Sequence, residues 1–360
     1  MSSKWRTAPL GDFISYLAKG IVPKYTDVSN PNAVYVIGQR CIRNQRLSLA
    51  PARLHDSAKK AVKPEKELRR NDILINATGV GSAGRVAQAL EGPPAGATTD
   101  GHVLTLRPTN IDPIYLDYLL KSQQSAIETM AEGSTGQTEM NKDRLANEII
   151  VPFPEDEDTQ RSISRMLLNL DEKIDLNQRT NDYLAAICDA AFSEQFGNTD
   201  DNAVLSDIAD ITMGQSPSGK SYNEEGKGTV FYQVRGEFGW RFPTQRLFTT
   251  EPKRMVAAGD VLMSVRAPVG DLNVAYEDCC IGRGLAAIHS QYPSFCLYLL
   301  RSLSRRLNAY NSEGTVFGSI NGKTLKALKI ALPDKKSIES FEAKADSIDV
   351  QINRNSRLDF

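Results

Sequence analysis

The residues of this 360-residue chain with the strongest claim to chemistry are a glycine run, three histidines and five cysteines. Gly79-Val80-Gly81-Ser82-Ala83-Gly84 fits GxGxxG and follows a strand-like segment. Such a run binds a dinucleotide when a helix follows, because the pyrophosphate then sits on the helix N-terminus. Here Arg85-Val86-Ala87-Gln88-Ala89-Leu90 leads into Glu91-Gly92-Pro93-Pro94, a short second strand, so the run reads as a hairpin loop. His55, His102 and His289 are scattered without spaced cysteine or carboxylate partners and read as surface or packing residues. Cys41, Cys188, Cys279, Cys280 and Cys296 are odd in number and form no CxxC pair. Neither a disulfide framework nor a zinc site is expected, and a reducing cytoplasm fits. No Ser/His/Asp order, Walker lysine loop, HExxH or Asn/Asp-Pro-Pro-aromatic motif is present, so the chain is expected to be non-catalytic and to hold no metal.

What remains is hydrogen-bonding chemistry on polar, basic loops with interleaved aromatics. Gln39, Arg40, Arg43 and Arg46 lie in one loop, and Arg235, Trp240 and Arg241 lie in its counterpart. Arg85 and Arg266 occupy a second matched pair of loops. Thr135, Gln137, Asn141 and Lys142 belong to a third, answered by Thr315, Ser319, Asn321 and Lys323. Arginine, glutamine and asparagine suit paired hydrogen bonds to guanine and adenine edges, and lysine suits phosphate. Any one of them also fits a solvated loop; their matched placement carries the reading.

That matching follows from an internal duplication. Residues 5–195 and 203–360 can be laid over one another. Pro9-Leu10-Gly11-Asp12-Phe13-Ile14 answers Val204-Leu205-Ser206-Asp207-Ile208-Ala209. Arg70-Asn71-Asp72-Ile73-Leu74-Ile75 answers Ala258-Gly259-Asp260-Val261-Leu262-Met263, and Tyr118-Leu119-Leu120-Lys121-Ser122 answers Tyr298-Leu299-Leu300-Arg301-Ser302. Ile149-Ile150-Val151-Pro152 answers Ile330-Ala331-Leu332-Pro333. The unit is far longer than a solenoid repeat, so it is one domain copied in tandem. Within each copy the pattern is mixed α and β. Val34–Ile37, Thr229–Tyr232, Asp72–Asn76 and Asp260–Ser264 read as strands, the last two entered through Asp-containing turns. Pro113 and Pro293 each precede a segment with helical apolar spacing.

Each copy ends in a long helix. Leu167, Leu170, Ile174, Asn177, Asn181, Leu184, Cys188 and Ala191 are spaced as a heptad seam, and so are Ile338, Phe341, Ala345, Ile348, Ile352 and Asn355. A buried Asn at a seam position fixes register at a cost in stability, which marks Asn177, Asn181 and Asn355 as register residues. The first helix, about Asp158 to Phe196, would span roughly 55 Å at about 1.5 Å per residue. That exceeds one DNA turn, about 34 Å.

Composition is ordinary for a globular protein, with 41% hydrophobic residues, and no apolar run suits a membrane helix or a secretory signal. The formal net charge of −1 argues mildly against a lone nucleic-acid binder unless charge is segregated or partners share the phosphates. Charge is segregated: Glu155–Asp158 and Asp200-Asp201 are acidic, whereas Arg40/Arg43/Arg46 and Arg301/Arg305/Arg306 are basic.

Taken in order, these blocks resemble the specificity subunits of type I restriction–modification systems. The resemblance runs over nearly the whole chain. It includes Trp5 with Leu10-Gly11-Asp12, the Asn71–Leu74 and Gly259–Leu262 blocks, Cys280-Ile281-Gly282-Arg283-Gly284-Leu285-Ala286, and Leu170-Asp171-Glu172-Lys173-Ile174. It implies an α+β fold with a pseudo-twofold internal repeat: two similar target-recognition domains, each with a twisted sheet, separated by long antiparallel coiled-coil helices. The boundaries read from the sequence are 1–154, 155–197 as helical spacer, 198–334, and 335–360 as a second helix shorter than the first. The resemblance implies double-stranded DNA as ligand, each domain reading half of a split asymmetric site. It also implies two modification (methyltransferase) subunits that hold S-adenosylmethionine, and restriction subunits that use ATP and Mg. No cofactor and no membrane are expected for this chain. A coiled-coil scaffold or adaptor that reads no DNA stays open here, as does, more weakly, a small-molecule enzyme using Gly79–Gly84.

Overall fold

The computed structural model describes residues 4–132, 139–311 and 318–357. The chain forms two compact units, Met1–Lys173 and Ile174–Phe360.

In the first unit, Ile14–Lys19, Val103–Pro108, Ile73–Asn76 and Val86–Gln88 form an antiparallel sheet in that order. Every side chain of Ile73–Asn76 is buried because the strand is covered on both faces. Strand alternation sends Ile73 and Ile75 to a core with Leu104, Leu106, Leu116 and Leu120. Leu74 points the other way, into a core with Ile37, Cys41, Ile42 and Val103. That second core lies under a sheet ordered Thr98–Thr99, Ala33–Ile37, Arg53–Asp56, Tyr25–Thr26, whose first pair is parallel. Helices α1 (Pro113–Ser122), α2 (Gln124–Thr129), α3 (Lys142–Glu148) and α4 (Glu157–Phe196) follow.

The second unit repeats this plan. Its sheet runs Asp210–Met213, Leu285–His289, Val261–Ser264, Leu272–Val274, the same order and the same antiparallel pairing. Val261 and Met263 face one core and Leu262 the other. The parallel pair recurs as Thr229–Tyr232 with Cys279–Ile281. Helices α5 (Pro293–Ser302), α6 (Ser304–Ala309), α7 (Gly322–Lys326) and α8 (Lys335–Arg357) answer α1 to α4. The two copies therefore share one fold, α+β as the sequence implied.

The turn aspartates do matching work in both copies. Asp72 accepts from the Arg69 backbone N–H at 2.9 Å and from Arg107 through both carboxylate oxygens at 2.9 and 2.8 Å. Asp260 accepts from the Ala257 N–H at 3.0 Å, and His289 Nδ1 lies 2.6 Å from it on the neighbouring strand. Asp260 holds the His289 imidazolium above its ordinary pKa by hydrogen bond and charge. His55 is a packing residue, fully buried with both ring nitrogens against backbone groups of Lys24 and Lys60. All five cysteines are free and buried.

The first turns of α1 and α5 solve one problem by two routes. Their leading N–H groups have no partner within the helix. In α1 the chain's own Asp112 accepts from the Tyr115 N–H at 2.8 Å, and Ser164 of α4 donates to the same carboxylate at 2.6 Å. In α5 the carboxylate arrives from α8: Glu342 accepts from the Ser294 and Phe295 N–H groups at 3.1 and 2.7 Å.

Helix α4 is continuous across the boundary of the compact units, which falls between Lys173 and Ile174. In the second unit, α4 and α8 run antiparallel, since Asn177 meets Asn355 while Phe192 meets Phe341. The α8 seam follows its predicted spacing, with Ile338, Phe341, Ala345, Ile352 and Asn355 buried and Ile348 half-buried. The α4 seam needs correction. The buried stripe is Asn177, Asn181, Ala185, Cys188, Phe192 and Phe196, whereas Ala191 is exposed and Leu184 only half-buried. The stripe leaves heptad spacing because Phe192 and Phe196 turn toward Phe295 of α5 as well as Phe341 of α8. Leu170, placed at the seam from sequence, is 56% exposed. The earlier part of α4 packs on its unit through Gln160, Ser164 and Asp171, in polar contacts that a hydrophobic template does not detect. Among the described residues, no helix is long and apolar enough to cross a membrane.

Candidate nucleic-acid interface

In the first unit the basic loop is a hairpin. A 3-10 turn at Gln39–Cys41 leads into Ile42–Arg43, which pairs with Arg46–Leu47 so that Arg43 lies opposite Arg46. Asn44 (φ 49°) and Gln45 (φ 59°) form the tip. Two left-handed residues give the mirror-image turn that matches strand twist, and Asn tolerates that region well. Cys41 and Ile42 anchor the hairpin in the core, and Gln45 Nε2 donates to the Lys121 carbonyl on α1 at 3.0 Å. Arg40, Arg43 and Arg46 are exposed.

Gln39 is differently placed. Its amide donates to Thr78 Oγ1 at 2.8 Å and to the Thr78 carbonyl, fastening the hairpin to the glycine loop. That loop joins the paired strands Ile73–Asn76 and Val86–Gln88, as the sequence reading had it. Gly79 and Gly84 have φ of +103° and +87°, and a Cβ on Gly84 would stand 2.6 Å from the Glu128 backbone. Turn geometry and close approach to α2 therefore account for these glycines without a phosphate. Arg85 is half-buried and donates to the Gly81 carbonyl at 2.6 Å.

In the second unit, Arg235–Glu237 is the matching 3-10 turn. Arg235 is ion-paired with Asp271. Trp240 is 52% exposed at the loop surface. Arg241, taken from sequence as a base-reading residue, is buried: 6% exposed, with Nη2 3.2 Å from the Tyr298 hydroxyl and Nη1 3.3 Å from Asp349 of α8. Its guanidinium is committed to the protein and does not present a surface. Arg266 is exposed and bridges by backbone to Ser319, as Thr78 bridges to Glu139 in the first unit.

Asn141 and Asn321, also taken as contact residues, are helix N-caps. Asn141 Oδ1 accepts from the Asp143 and Arg144 N–H groups at 2.9 and 3.2 Å, and Asn321 Oδ1 accepts from the Thr324 N–H at 2.9 Å. Asparagine is favoured at both because its oxygen satisfies an otherwise orphaned donor. Lys142 follows Asn141 directly, Lys323 lies two residues after Asn321, and both are exposed. Lys323, Lys326 and Arg254 line an open cleft of about 720 Å³ with Thr212 and Met213. Arg254 and Lys326 had no signal beyond an isolated charge. Thr135, Gln137 and Thr315 lie outside the described residues.

Asn177, Asn181 and Asn355 are brought together. Asn355 Nδ2 donates to Asn181 Oδ1 at 2.8 Å, and Asn177 Nδ2 reaches the Asn355 carbonyl at 3.4 Å. All three are buried. Tyr298 and Asp349, which contact Arg241, and their counterparts Tyr118 and Asp171 were not singled out as site residues. Their signal was repetition at equivalent positions in both copies.

Comparison with known proteins agrees with the duplication. The profile of the family described as type I restriction modification DNA specificity domain matches residues 2–186 and again 201–351. A protein of Methanocaldococcus jannaschii named for the specificity subunit of type I restriction enzyme MjaX is 31% identical over 304 residues, 76% of this chain and 71% of its own. The crystal structure of a type I restriction–modification S subunit from M. genitalium shares the fold: TM-score 0.58 at 16% identity, covering 99% of this chain and 92% of its own. With its two family matches, each laid on one copy of a repeated α+β frame, this chain belongs to the type I restriction–modification specificity subunits.

Proposed function

We propose that this chain is the DNA-reading, non-catalytic subunit of a type I restriction–modification complex, each copy inspecting one half of a split and asymmetric site. The observation that carries the reading is a single frame built twice with unlike exposed loop residues: Arg40, Arg43 and Arg46 on one hairpin, Trp240 on the other. Identical readers would need no such divergence, and a scaffold would need no such loops. Arg43 and Arg266 suit base edges, whereas Lys142, Lys323, Lys326 and Arg254 suit phosphates. Because the chain carries a formal net charge of −1, much of the phosphate neutralisation falls to partners. Those partners are two modification subunits carrying S-adenosylmethionine, with restriction subunits using ATP and Mg, in the cytoplasm. This chain holds no cofactor of its own in that scheme.

The test is methylation mapping in a host that expresses the chain with its modification subunits, together with binding at two salt concentrations. Two unlike half-sites with a fixed gap are expected, with log affinity falling by about 0.9 per neutralised phosphate per unit of log salt. A continuous site, two identical halves, or assembly with the modification subunits without sequence preference would overturn the reading. Helix length offers a second check. Four residues inserted at Lys173/Ile174 add about 6 Å of helix, and the preferred gap should lengthen by roughly 2 base pairs. An unchanged gap refutes the role of α4 as spacer.

A further inference from the structure

We propose that Arg241, Tyr298 and Asp349 form a clasp that sets where the loop Gly239–Thr244 stands on the helices of the second unit, and that the Tyr118–Asp171 pair fixes the corresponding place in the first. Arg241 is then a positioning residue for specificity. This rests on the reading that these loops face DNA.

The loop of the second unit is hydrogen-bonded to the strand Leu272–Val274 on one side and stands off the helices on the other. A cleft of about 350 Å³ separates residues Gly239–Thr244 from Asn181, Asp182 and Ser356, and another of about 170 Å³ lies between Phe242 and the α8 residues Asp346, Asp349 and Val350. Both clefts are open to the surface, so close packing does little to fix this side of the loop against the helices. Arg241 spans the gap. Burying a guanidinium is unfavourable unless a charge and hydrogen bonds compensate. Asp349 provides the charge, and Tyr298 lies between them, donating to Asp349 Oδ1 at 3.1 Å while accepting from Arg241 Nη2. Ser294 donates to the other oxygen of Asp349 at 2.7 Å, which fixes that carboxylate against α5. The guanidinium also lies over Trp240 and Tyr298, 5.4 and 5.7 Å from the ring centroids. Moving the loop along the helices would strand a buried charge on each side, so the clasp is its stiff attachment to α5 and α8, while Asn273 and the Val274 N–H hold its other side to the sheet.

The first unit keeps the tyrosine–aspartate half of the device. The Tyr118 hydroxyl donates to Asp171 Oδ2 at 2.6 Å. Tyr118 corresponds to Tyr298 and Asp171 to Asp349 in the alignment of the copies. The loops have diverged, yet this tyrosine–aspartate hydrogen bond stands in both copies.

The test uses the whole complex with its modification subunits, in a host whose methylation is mapped. Y298F removes one hydroxyl and keeps the ring; D349N and R241Q remove a charge each; R241Q/D349N removes both. Each single variant is expected to lower discrimination against single mismatches about tenfold at one half-site and leave the other half-site as it was. The double variant should be no worse than the singles, because a broken clasp cannot be broken twice. Y118F should act on the opposite half-site. The proposal is overturned if R241Q changes preference at one base pair while Y298F and D349N leave the pattern intact, which would make Arg241 a base reader. It is overturned equally if every variant degrades both halves together. If the unaltered complex methylates no split site at all, the underlying DNA reading has failed, and the clasp falls with it.

Discussion

Asn355 offers the sharpest energetic test in the molecule. Its amide nitrogen donates to Asn181 Oδ1 at 2.8 Å, its own oxygen accepts from Gln351 at 2.8 Å, and both asparagines are more than nine-tenths buried. Asn355→Leu keeps the volume near that of the native side chain but leaves Asn181 Oδ1 without its donor. A buried polar atom orphaned in this way costs about 1–3 kcal/mol. For a unit of this size each kcal/mol moves the melting temperature by about 2–4 °C, so a cost near 2 kcal/mol lowers it by roughly 4–8 °C. Asn181→Leu should cost a similar amount. The double variant should cost much less than the sum, because apolar replacement of both partners leaves neither stranded. A coupling of at least about 1 kcal/mol is expected. The chain has two tryptophans, Trp5 and Trp240, one in each unit. A Trp5→Phe background therefore lets Trp240 fluorescence report urea unfolding of the second unit. Strict additivity of the two leucine variants would refute the reasoning, and so would a single-variant cost under about 0.5 kcal/mol, within the range of an ordinary surface substitution.

Other outcomes follow from the same geometry. Gly84→Ala should destabilise the first unit by more than Gly81→Ala, read by urea unfolding with Trp5 fluorescence: both have positive φ, but an added Cβ at Gly84 meets the Glu128 backbone whereas Gly81 faces open space. Glu342→Ala should cost about 1–2 kcal/mol in thermal unfolding by uncapping α5, and Glu342→Gln less, since it keeps one acceptor. Asp117 is buried beside Lys121, and desolvation pushes its pKa up to about 6. A carboxyl that binds its proton more tightly when folded makes stability fall as pH rises from about 4 to about 6. Asp117→Asn should flatten that part of the stability–pH curve, and an unchanged curve would contradict the assignment.

The sequence was most legible where identical physics recurs in both copies. The Asn71-Asp72 and Gly259-Asp260 turns, the buried strands after them and the prolines opening α1 and α5 are local signals, and each stands where its spacing put it. The α8 seam was legible because it is regular. The α4 seam was misread at Leu170, where early α4 packs through polar contacts, and beyond Asn181, where Phe192 and Phe196 answer to α5 as well as α8 while a heptad template assumes one partner. Arg241 resembles any loop arginine until Asp349, more than a hundred residues away, is seen beside it. Asn141 and Asn321 could have been recognised as caps from the helical residues that follow, a signal that their place near a polar loop obscured. Glu342 had no local signal, since its ligands are amides 47 and 48 positions earlier.

That last difference bears on how the copies fold. Asp112 caps α1 by closing a segment of three residues, whereas Glu342 must close one of 47 to reach the Phe295 amide. At about 0.6 kcal/mol per doubling of loop length, the longer closure carries an extra entropic cost on the order of 2 kcal/mol. The start of α1 is thus a local element that can nucleate on its own chain, while the start of α5 waits for α8 to dock. Two copies that end in the same shape reach it in a different order of events.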